Sequence, residues 1–475
     1  MIKTPLDKIL LYLFSFIVLL SINLNFYNLE NPFDEITSFK TKVKFVRSIL
    51  PLFLIFICII FLYKIKFKDK KKLENNYYFK IYLTYIFFQL VGFYFSDFNK
   101  YQNLFYLYLL LSSLIFFYYL YQFELKIIKQ IYYLFFSLFL IIFFIFFTNY
   151  FSLYLTNDNI NFYTQFPDVY FNPYLYENLQ LPINSSEFKE CVNCENTIYK
   201  TSILGEIPPR SSGLSRIAVV LTIFLSFYFI FKKKFKILLL VLIIFINFSI
   251  FLMQSRISIY FLVTFYIFLN IYFVTFKLKH TLTFLIIPFI LFISCETFFK
   301  KKNYFNISQI FKHESLKIEI NNDNITNDSL RLLNSTSTGR FEIWKNIINN
   351  TQDKWIIGNG PQADRMIKKI KMEKNEVAVG KQSASSAIIY TYASSGILGV
   401  ILLFYFYYRI SKTIFKNLFI KINTSRNYLK TTSIFIIIYL LFRSLVESSI
   451  AVIGIDYILI SLNVILLYKI QKVHS

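Results

Sequence analysis

The sequence predicts an all-α polytopic membrane protein with about twelve transmembrane helices, and three observations lead to this prediction. First, 56% of the 475 residues are hydrophobic and only 16% are charged, whereas soluble domains have about 25% charged residues. Second, apolar runs of about 20 residues, the length that crosses the core of a bilayer, recur along the whole chain. Third, the basic residues behind the net charge of +24 fall in short loops between these runs, as the positive-inside rule expects. This placement favours membrane topology over nucleic-acid binding.

The predicted spans divide the chain into five regions. These are an N-terminal five-helix membrane region (1–148), a first extramembrane loop (149–213), a four-helix membrane region (214–298), a second extramembrane loop with short amphipathic helices (299–385) and a C-terminal three-helix membrane region (386–475). The spans are expected near residues 9–27, 48–64, 79–96, 103–121, 130–148, 214–231, 237–254, 257–276, 281–298, 386–407, 431–447 and 454–469. The first run, Ile9 to Leu24, lacks a small-residue cleavage site and is typical of a signal anchor.

Basic clusters follow every second span, for example Lys232 to Lys236 after the sixth and Arg409 to Lys430 after the tenth. Because short cytoplasmic loops carry the excess of Lys and Arg, both termini are predicted to be cytoplasmic. The two large loops then lie on the extracytoplasmic side of the membrane.

The four cysteines are too few for a disulfide framework. Cys58 and Cys295 lie in apolar runs and are expected to pack there. Cys191 and Cys194 form a Cys-x-x-Cys in the first loop, where no histidine is near to complete a zinc site. Whether these two cysteines form a disulfide stays open, because this depends on an oxidising compartment.

The second loop carries a helical pattern followed by turn residues. Phe341, Trp344 and Ile347 recur at helical spacing, which predicts a short helix with one apolar face. The run Gly358-Asn359-Gly360-Pro361 is expected to end this helix, and a second helix is predicted at about 362–376. The two aromatic side chains are more typical of packing than of a sugar platform.

Arginines on the predicted extracytoplasmic side oppose the charge bias, and each needs a partner because a charge in the membrane is costly. They are Arg210, Arg216, Arg256, Arg331, Arg340, Arg365 and Arg443. A planar guanidinium binds phosphate oxygens in bidentate fashion, so several around one cleft would hold a diphosphate. The alternative is that each caps a helix or pairs with a carboxylate. For Arg443 the leading partner is Glu447, four residues on.

From Thr338 to Leu403 the sequence resembles the O-antigen ligase and O-antigen polymerase superfamily of bacterial envelope glycosyltransferases. The matching features are Gly339-Arg340-x-x-Ile343-Trp344, Gly358-Asn359-Gly360-Pro361 and Gly396-x-x-Gly399, with Ser255-Arg256 and Arg210-Ser-Ser-Gly213 upstream. The resemblance implies a multi-pass protein of the bacterial inner (cytoplasmic) membrane. It would transfer a glycan from undecaprenyl diphosphate to an acceptor at the periplasmic face.

The resemblance also implies roles for individual residues. Arg210, Arg256 and Arg340 are expected to bind the diphosphate, and Arg443 joins them because of its predicted depth. Trp344 and Ser385 are expected to contact the sugar or the lipid. No metal and no cofactor are expected, since the diphosphate is the leaving group. The expected partners are the lipid-linked glycan and membrane lipids, with a chain-length regulator as a further candidate and no nucleic acid.

Position 385 departs from the ligase branch, which carries a histidine followed by a small polar residue where this chain has Ser385-Ser386. Serine is not a general base near neutral pH as histidine is. The sequence therefore favours polymerase-like transfer onto a lipid-linked repeat unit, with Glu447 and Glu342 as candidate bases. The alternatives are a ligase that passes the glycan to lipid A-core or another acceptor and, more distantly, a transporter of lipid-linked oligosaccharide.

Overall fold

The computed structural model of the chain describes residues 9–15, 17, 54, 56–63, 77–96, 101–156, 211–231, 235–253, 255–272, 278–299, 337–365, 384, 386–418 and 428–474. Within these residues every regular element is a helix. After helical stretches at 9–15 and 56–63, the α-helices are α1 (Tyr77–Tyr94), α2 (Tyr101–Tyr121), α3 (Leu125–Thr156), α4 (Ser211–Phe231), α5 (Lys236–Leu252), α6 (Arg256–Tyr272), α7 (Leu278–Phe299), α8 (Ser337–Asn350), α9 (Ala387–Leu418), α10 (Tyr428–Ser444) and α11 (Ile455–His474).

The prediction of an all-helical membrane protein is confirmed in its coarse form. All these helices except α8 begin within five residues of a predicted span. Among the described residues, four stretches are long and apolar enough to cross a membrane: Leu125–Ile145, Gly213–Phe231, Leu278–Cys295 and Ala387–Asn417. The full count of twelve, the orientation and the division into five regions stay predictions.

Helix α11 forms the centre of the bundle. It packs against α2, α3 and α10, and its residues from Tyr457 to Ile460 are all buried. A helix that is apolar on every side is expected in such a position. Polar side chains fix its register, because Tyr78 of α1 shares a hydrogen bond with Ser461 and Tyr132 of α3 donates to Asn463 at 3.0 Å.

Helices α4 to α7 form a neighbouring group that is held by one buried amide. Pro288 lies inside α7 and has no N–H to give to the carbonyl of Phe284 one turn earlier. Asn247 of α5 donates to this carbonyl at 2.8 Å and to the Tyr266 hydroxyl of α6 at 2.9 Å. Thr222 of α4 completes the arrangement by donating to Asn247 at 2.8 Å. One side chain therefore joins four helices and satisfies the carbonyl that the proline leaves open.

Helix α10 joins the two groups, since it packs against both α4 and α11. Side chains on the outside of the bundle are large and apolar, as the exposures of Ile237, Ile271 and Phe87 illustrate. Such a surface suits lipid tails, in agreement with the membrane location.

Candidate functional site

The connection between α10 and α11, residues 445–454, lies inside the bundle, and we call it the recessed turn. Tyr82 and Tyr85, in the middle of α1, donate to the carbonyls of Ile450 and Ala451 at 2.9 and 3.1 Å. Tyr85 is seven residues before Gly92 near the end of α1, a rise of about 10 Å. The turn therefore lies well below that end of the bundle. Its residues 446–449 and 452–454 are only half-buried, so it is not sealed off.

Two arginines and one aspartate meet beside the recessed turn. Arg216 of α4 places Nη1 3.1 Å from Oδ1 of Asp456, and Arg443 of α10 places Nε 3.3 Å from Oδ2 of the same carboxylate. Asp456 and Arg443 are buried, with 1% and 4% of their side chains exposed, whereas Arg216 keeps 18%. We call these three residues the arginine–aspartate cluster. It joins α4, α10 and α11 through charge.

The helix ends stabilise this cluster. Asp456 lies in the first turn of α11, and Arg443 lies in the last turn of α10. A carboxylate is favoured at a helix N-terminus and a guanidinium at a C-terminus, because each complements the partial charge of the helix dipole. The chain changes direction between α10 and α11, and this brings Arg443 and Asp456 together. Each side chain then interacts favourably with the dipole of its own helix.

Arg256, one of the predicted diphosphate ligands, begins α6 beside this cluster. Ser258 of α6 donates to Ser215 of α4 at 3.0 Å, and Ser215 directly precedes Arg216. Ser255 in turn donates to Ser258 at 3.1 Å. The first turn of α6, which begins at Arg256, therefore lies against α4 at the residue before Arg216. The side chain of Arg256 lies outside the described residues.

Glu447, a candidate general base, approaches Arg443 but is not its main partner. The Oε1 atom of Glu447 is 3.9 Å from Nη2 of Arg443, farther than the Asp456 contact. Both residues were predicted within one span, 431–447, but α10 ends at Ser444, so Glu447 belongs to the recessed turn. Its side chain is 29% exposed, which leaves it accessible to a substrate.

Helix α9 is interrupted at Gly396, where the backbone has φ 62° and ψ −161°. The sequence analysis treated Gly396-x-x-Gly399 as part of a continuous span, 386–407, whereas the structure shows two helical pieces that continue to Leu418. In an unbroken helix the N–H groups of Ile397 and Leu398 would bond to the carbonyls of Ala393 and Ser394. The break leaves these four groups without their helical partners.

Residues 355–360, which we call the clip, take up all four groups. The bonds run from Asn359 to Ala393 (2.8 Å), from Gly360 to Ser394 (2.9 Å), from Ile397 to Trp355 (2.8 Å) and from Leu398 to Ile356 (3.5 Å). Unpaired backbone groups are costly at membrane depth. The break in α9 is therefore stable only while the clip is bound to it, and the clip is held in place by the groups that the break exposes. A Cβ at Gly92 would lie 2.8 Å from the Gly360 nitrogen, which shows how closely the clip also packs on α1.

Helix α8, which carries the predicted residues Arg340, Glu342 and Trp344, packs against α9. Trp344 is half-buried and its Nε1 donates to the carbonyl of Ala384 at 2.6 Å. The Ala384 N–H donates to Asp364 at 2.8 Å. Phe341, in contrast, is 62% exposed. Trp344 thus has a packing role, as the sequence analysis favoured, and its part in sugar or lipid contact stays a prediction.

A comparison with known protein families gives a match to part of the chain. A family model described as O-antigen ligase matches residues 239–404, about a third of the 475 residues. Residues 239–404 are thus similar to an O-antigen ligase domain. No curated protein and no solved structure matches it. The resemblance to the O-antigen ligase and polymerase superfamily is therefore confirmed. Together with the apolar helices, it indicates a multi-pass membrane protein with activity of the ligase or polymerase type.

The stretch that matches the O-antigen ligase model runs from α5 to the first half of α9. It therefore includes the start of α6 with Arg256, the clip and the break at Gly396. The arginine–aspartate cluster is built mostly from helices outside it, because Arg216 precedes residue 239 and Arg443 and Asp456 follow residue 404. The features described above thus come from the matched stretch and from the flanking helices together.

Several predicted residues cannot be located in the structure. Arg210, Arg331, Ser385, Cys191 and Cys194 lie outside the described residues, as do the side chains of Arg340, Arg365 and Glu342. Of the second predicted helix, 362–376, only residues 362–365 are described, and Ala363–Arg365 form a single 3-10 turn. Their predicted roles, and the absence of a metal or cofactor, stay predictions.

Asp456 is not among the candidate residues that were predicted from the sequence. It is the one carboxylate in the apolar run 454–469, and an ionisable residue within a predicted span is a candidate functional residue. That signal was available, but the identity of its partners was not, because Arg216 is 240 residues away.

Proposed function

We propose that the protein is an O-antigen polymerase-like glycosyltransferase of the bacterial inner membrane. It transfers a glycan from undecaprenyl diphosphate to a lipid-linked repeat unit at the periplasmic face. The observation that carries the proposal is the meeting of arginine-bearing segments at the recessed turn: Arg216, Arg443 and the backbone at Arg256 come from three helices. Guanidinium groups so gathered suit a diphosphate, which they bind through several N–H groups.

In this reaction an acceptor hydroxyl attacks the anomeric carbon of the donor glycan. The bond from that carbon to the diphosphate oxygen breaks, and the electron pair leaves with the diphosphate. Arginines stabilise the charge that develops on the leaving group. The hydroxyl proton passes to a carboxylate, for which Glu447 and Glu342 are the candidates. Glu447 is favoured by its place on the recessed turn and by its accessibility.

A ligase that passes the glycan to lipid A-core or another acceptor is the second candidate. It is favoured by the description of the matching family, O-antigen ligase. The polymerase-like reaction is favoured by Ser385-Ser386 at the place of the histidine of the ligase branch.

Deleting the gene separates the two candidates. Loss of a polymerase leaves surface lipopolysaccharide capped with single repeats, whereas loss of a ligase leaves bare core and accumulated lipid-linked polymer. Purified protein in liposomes with lipid-linked repeat units provides the direct assay. A ladder of longer glycans on undecaprenyl diphosphate is the expected product. Passage of unchanged lipid-linked glycan across the bilayer would instead indicate a transporter.

A further inference from the structure

Asp456 has no part in the transfer reaction described above, yet it is the most deeply enclosed member of the cluster. Its residue exposure is 0%, and each carboxylate oxygen faces a different arginine. Burying a carboxylate is unfavourable unless it is paired. Replacing a whole buried ion network by apolar side chains often costs little stability, so packing alone does not account for three charged residues here. The carboxylate therefore calls for a role in addition to packing.

Asp456 faces only part of each guanidinium group, and the two groups differ in access: Arg216 keeps 18% of its side chain exposed, whereas Arg443 keeps 4% and also interacts with Tyr439. Asp456 faces Nη1 of Arg216 and Nε of Arg443, one nitrogen of each group. Neither contact is the two-bond fork that arginine makes with a carboxylate when pairing is its main role. The second contact of Arg443, to Glu447 at 3.9 Å, is beyond hydrogen-bond distance. The two guanidinium groups are thus held side by side by a single carboxylate.

We infer that Asp456 is a positioning residue that holds Arg216 and Arg443 together so that both bind one diphosphate. The inference rests on the proposed function and adds Arg216 to the residues that contact the donor. Without Asp456, two like charges at the recessed turn would repel and each side chain would turn toward another partner. With it, the pair is oriented before the substrate arrives, which is the condition for effective electrostatic stabilisation.

A comparison of two carboxylate variants separates positioning from simple charge. Asp456→Asn and Glu447→Gln each remove one negative charge near Arg443. If charge alone mattered, both variants would bind inorganic pyrophosphate more tightly. Positioning predicts opposite results, because only Asp456 faces both arginines. We expect about tenfold weaker pyrophosphate binding by Asp456→Asn, as when a partner that orients a ligand is removed, and unchanged or tighter binding by Glu447→Gln.

The experiment uses the full-length protein in nanodiscs. Pyrophosphate binding is measured as the ligand-dependent rise in melting temperature, and kcat and KM are measured with lipid-linked repeat units. We expect kcat of Asp456→Asn to fall by about 100-fold, the effect of misplacing a catalytic contact. Asp456→Glu keeps the charge and should recover part of the pyrophosphate binding. Glu124→Gln, an exposed residue between α2 and α3, is the matched control and should leave every value unchanged.

Equal or tighter pyrophosphate binding by Asp456→Asn would overturn the inference. If this variant does not fold, Asp456→Glu tests the positioning role, because its carboxylate is displaced by one methylene and both arginines must shift with it. Wild-type kcat and wild-type pyrophosphate binding in Asp456→Glu would then refute positioning. A wild-type protein that binds pyrophosphate through Asp456 but transfers no glycan would refute the proposed function and leave the positioning role intact.

Discussion

Replacing Gly396 by alanine tests whether the clip and the break in α9 depend on each other. At φ 62° and ψ −161° only glycine is free of backbone strain, and a residue with a side chain there costs about 1–3 kcal/mol. The new Cβ would also lie 2.2 Å from the carbonyl oxygen of Ile356, so the clip must move away. Three of its four bonds are 2.9 Å or shorter, and each contributes about 1 kcal/mol. The local loss is therefore about 4–6 kcal/mol.

Hydrogen exchange at the amides of Asn359, Gly360 and Ile397 measures this loss directly, because a detached clip exposes all three groups. We expect their protection in Gly396→Ala to fall by at least about 1,000-fold, which corresponds to about 4 kcal/mol. Gly454→Ala is the matched control, since its Cβ would meet nothing closer than the Val452 oxygen at 4.0 Å. Wild-type protection in Gly396→Ala would refute the reasoning and mean that the helix adjusts without the clip.

Further predictions concern the membrane bundle and the arginines. Asn247→Leu removes three hydrogen bonds and should destabilise the protein by about 2 kcal/mol, since buried side-chain bonds in membranes average about 0.6 kcal/mol each; its unfolding in mixed detergent measures this. Arg256→Ala and Arg340→Ala should each abolish glycan transfer in liposomes while membrane insertion stays normal, and full activity in both would remove the diphosphate-binding role. Ser385→Ala should change kcat little if this serine is a passive replacement for histidine, and an inactive variant would show a role for it.

The positions of the helices could be predicted from the sequence because each helix in a membrane satisfies its own backbone groups. The length of an apolar run then sets the length of the helix. This is why α4, for example, begins within three residues of its predicted span. Helix α9 is the exception, because its backbone at Gly396 bonds to the clip, about 40 residues earlier in the chain. A local pattern does not contain that partner.

The same reason limits the prediction of the site. Arg443 and Glu447 are close in sequence, so their pairing was foreseen, yet the nearer carboxylate belongs to Asp456 on the next helix. Pairing with a carboxylate was one of the alternatives for Arg216, and the structure supplies the partner from α11, 240 residues later in the chain. Charge type was evident from the sequence, whereas the pairing depends on how α4, α10 and α11 pack.

The charges near the recessed turn also show why other arginines are needed. Arg216 and Arg443 are formally balanced by Asp456 and Glu447, so these four residues give little net attraction for an anion. A positive charge that attracts the diphosphate at long range must then come from further arginines. Arg256 is one candidate, because it begins the helix whose Ser258 bonds to Ser215, the residue before Arg216. We therefore assign attraction of the lipid to Arg256 and the predicted ligands Arg210 and Arg340, and orientation of the leaving group to the arginine–aspartate cluster.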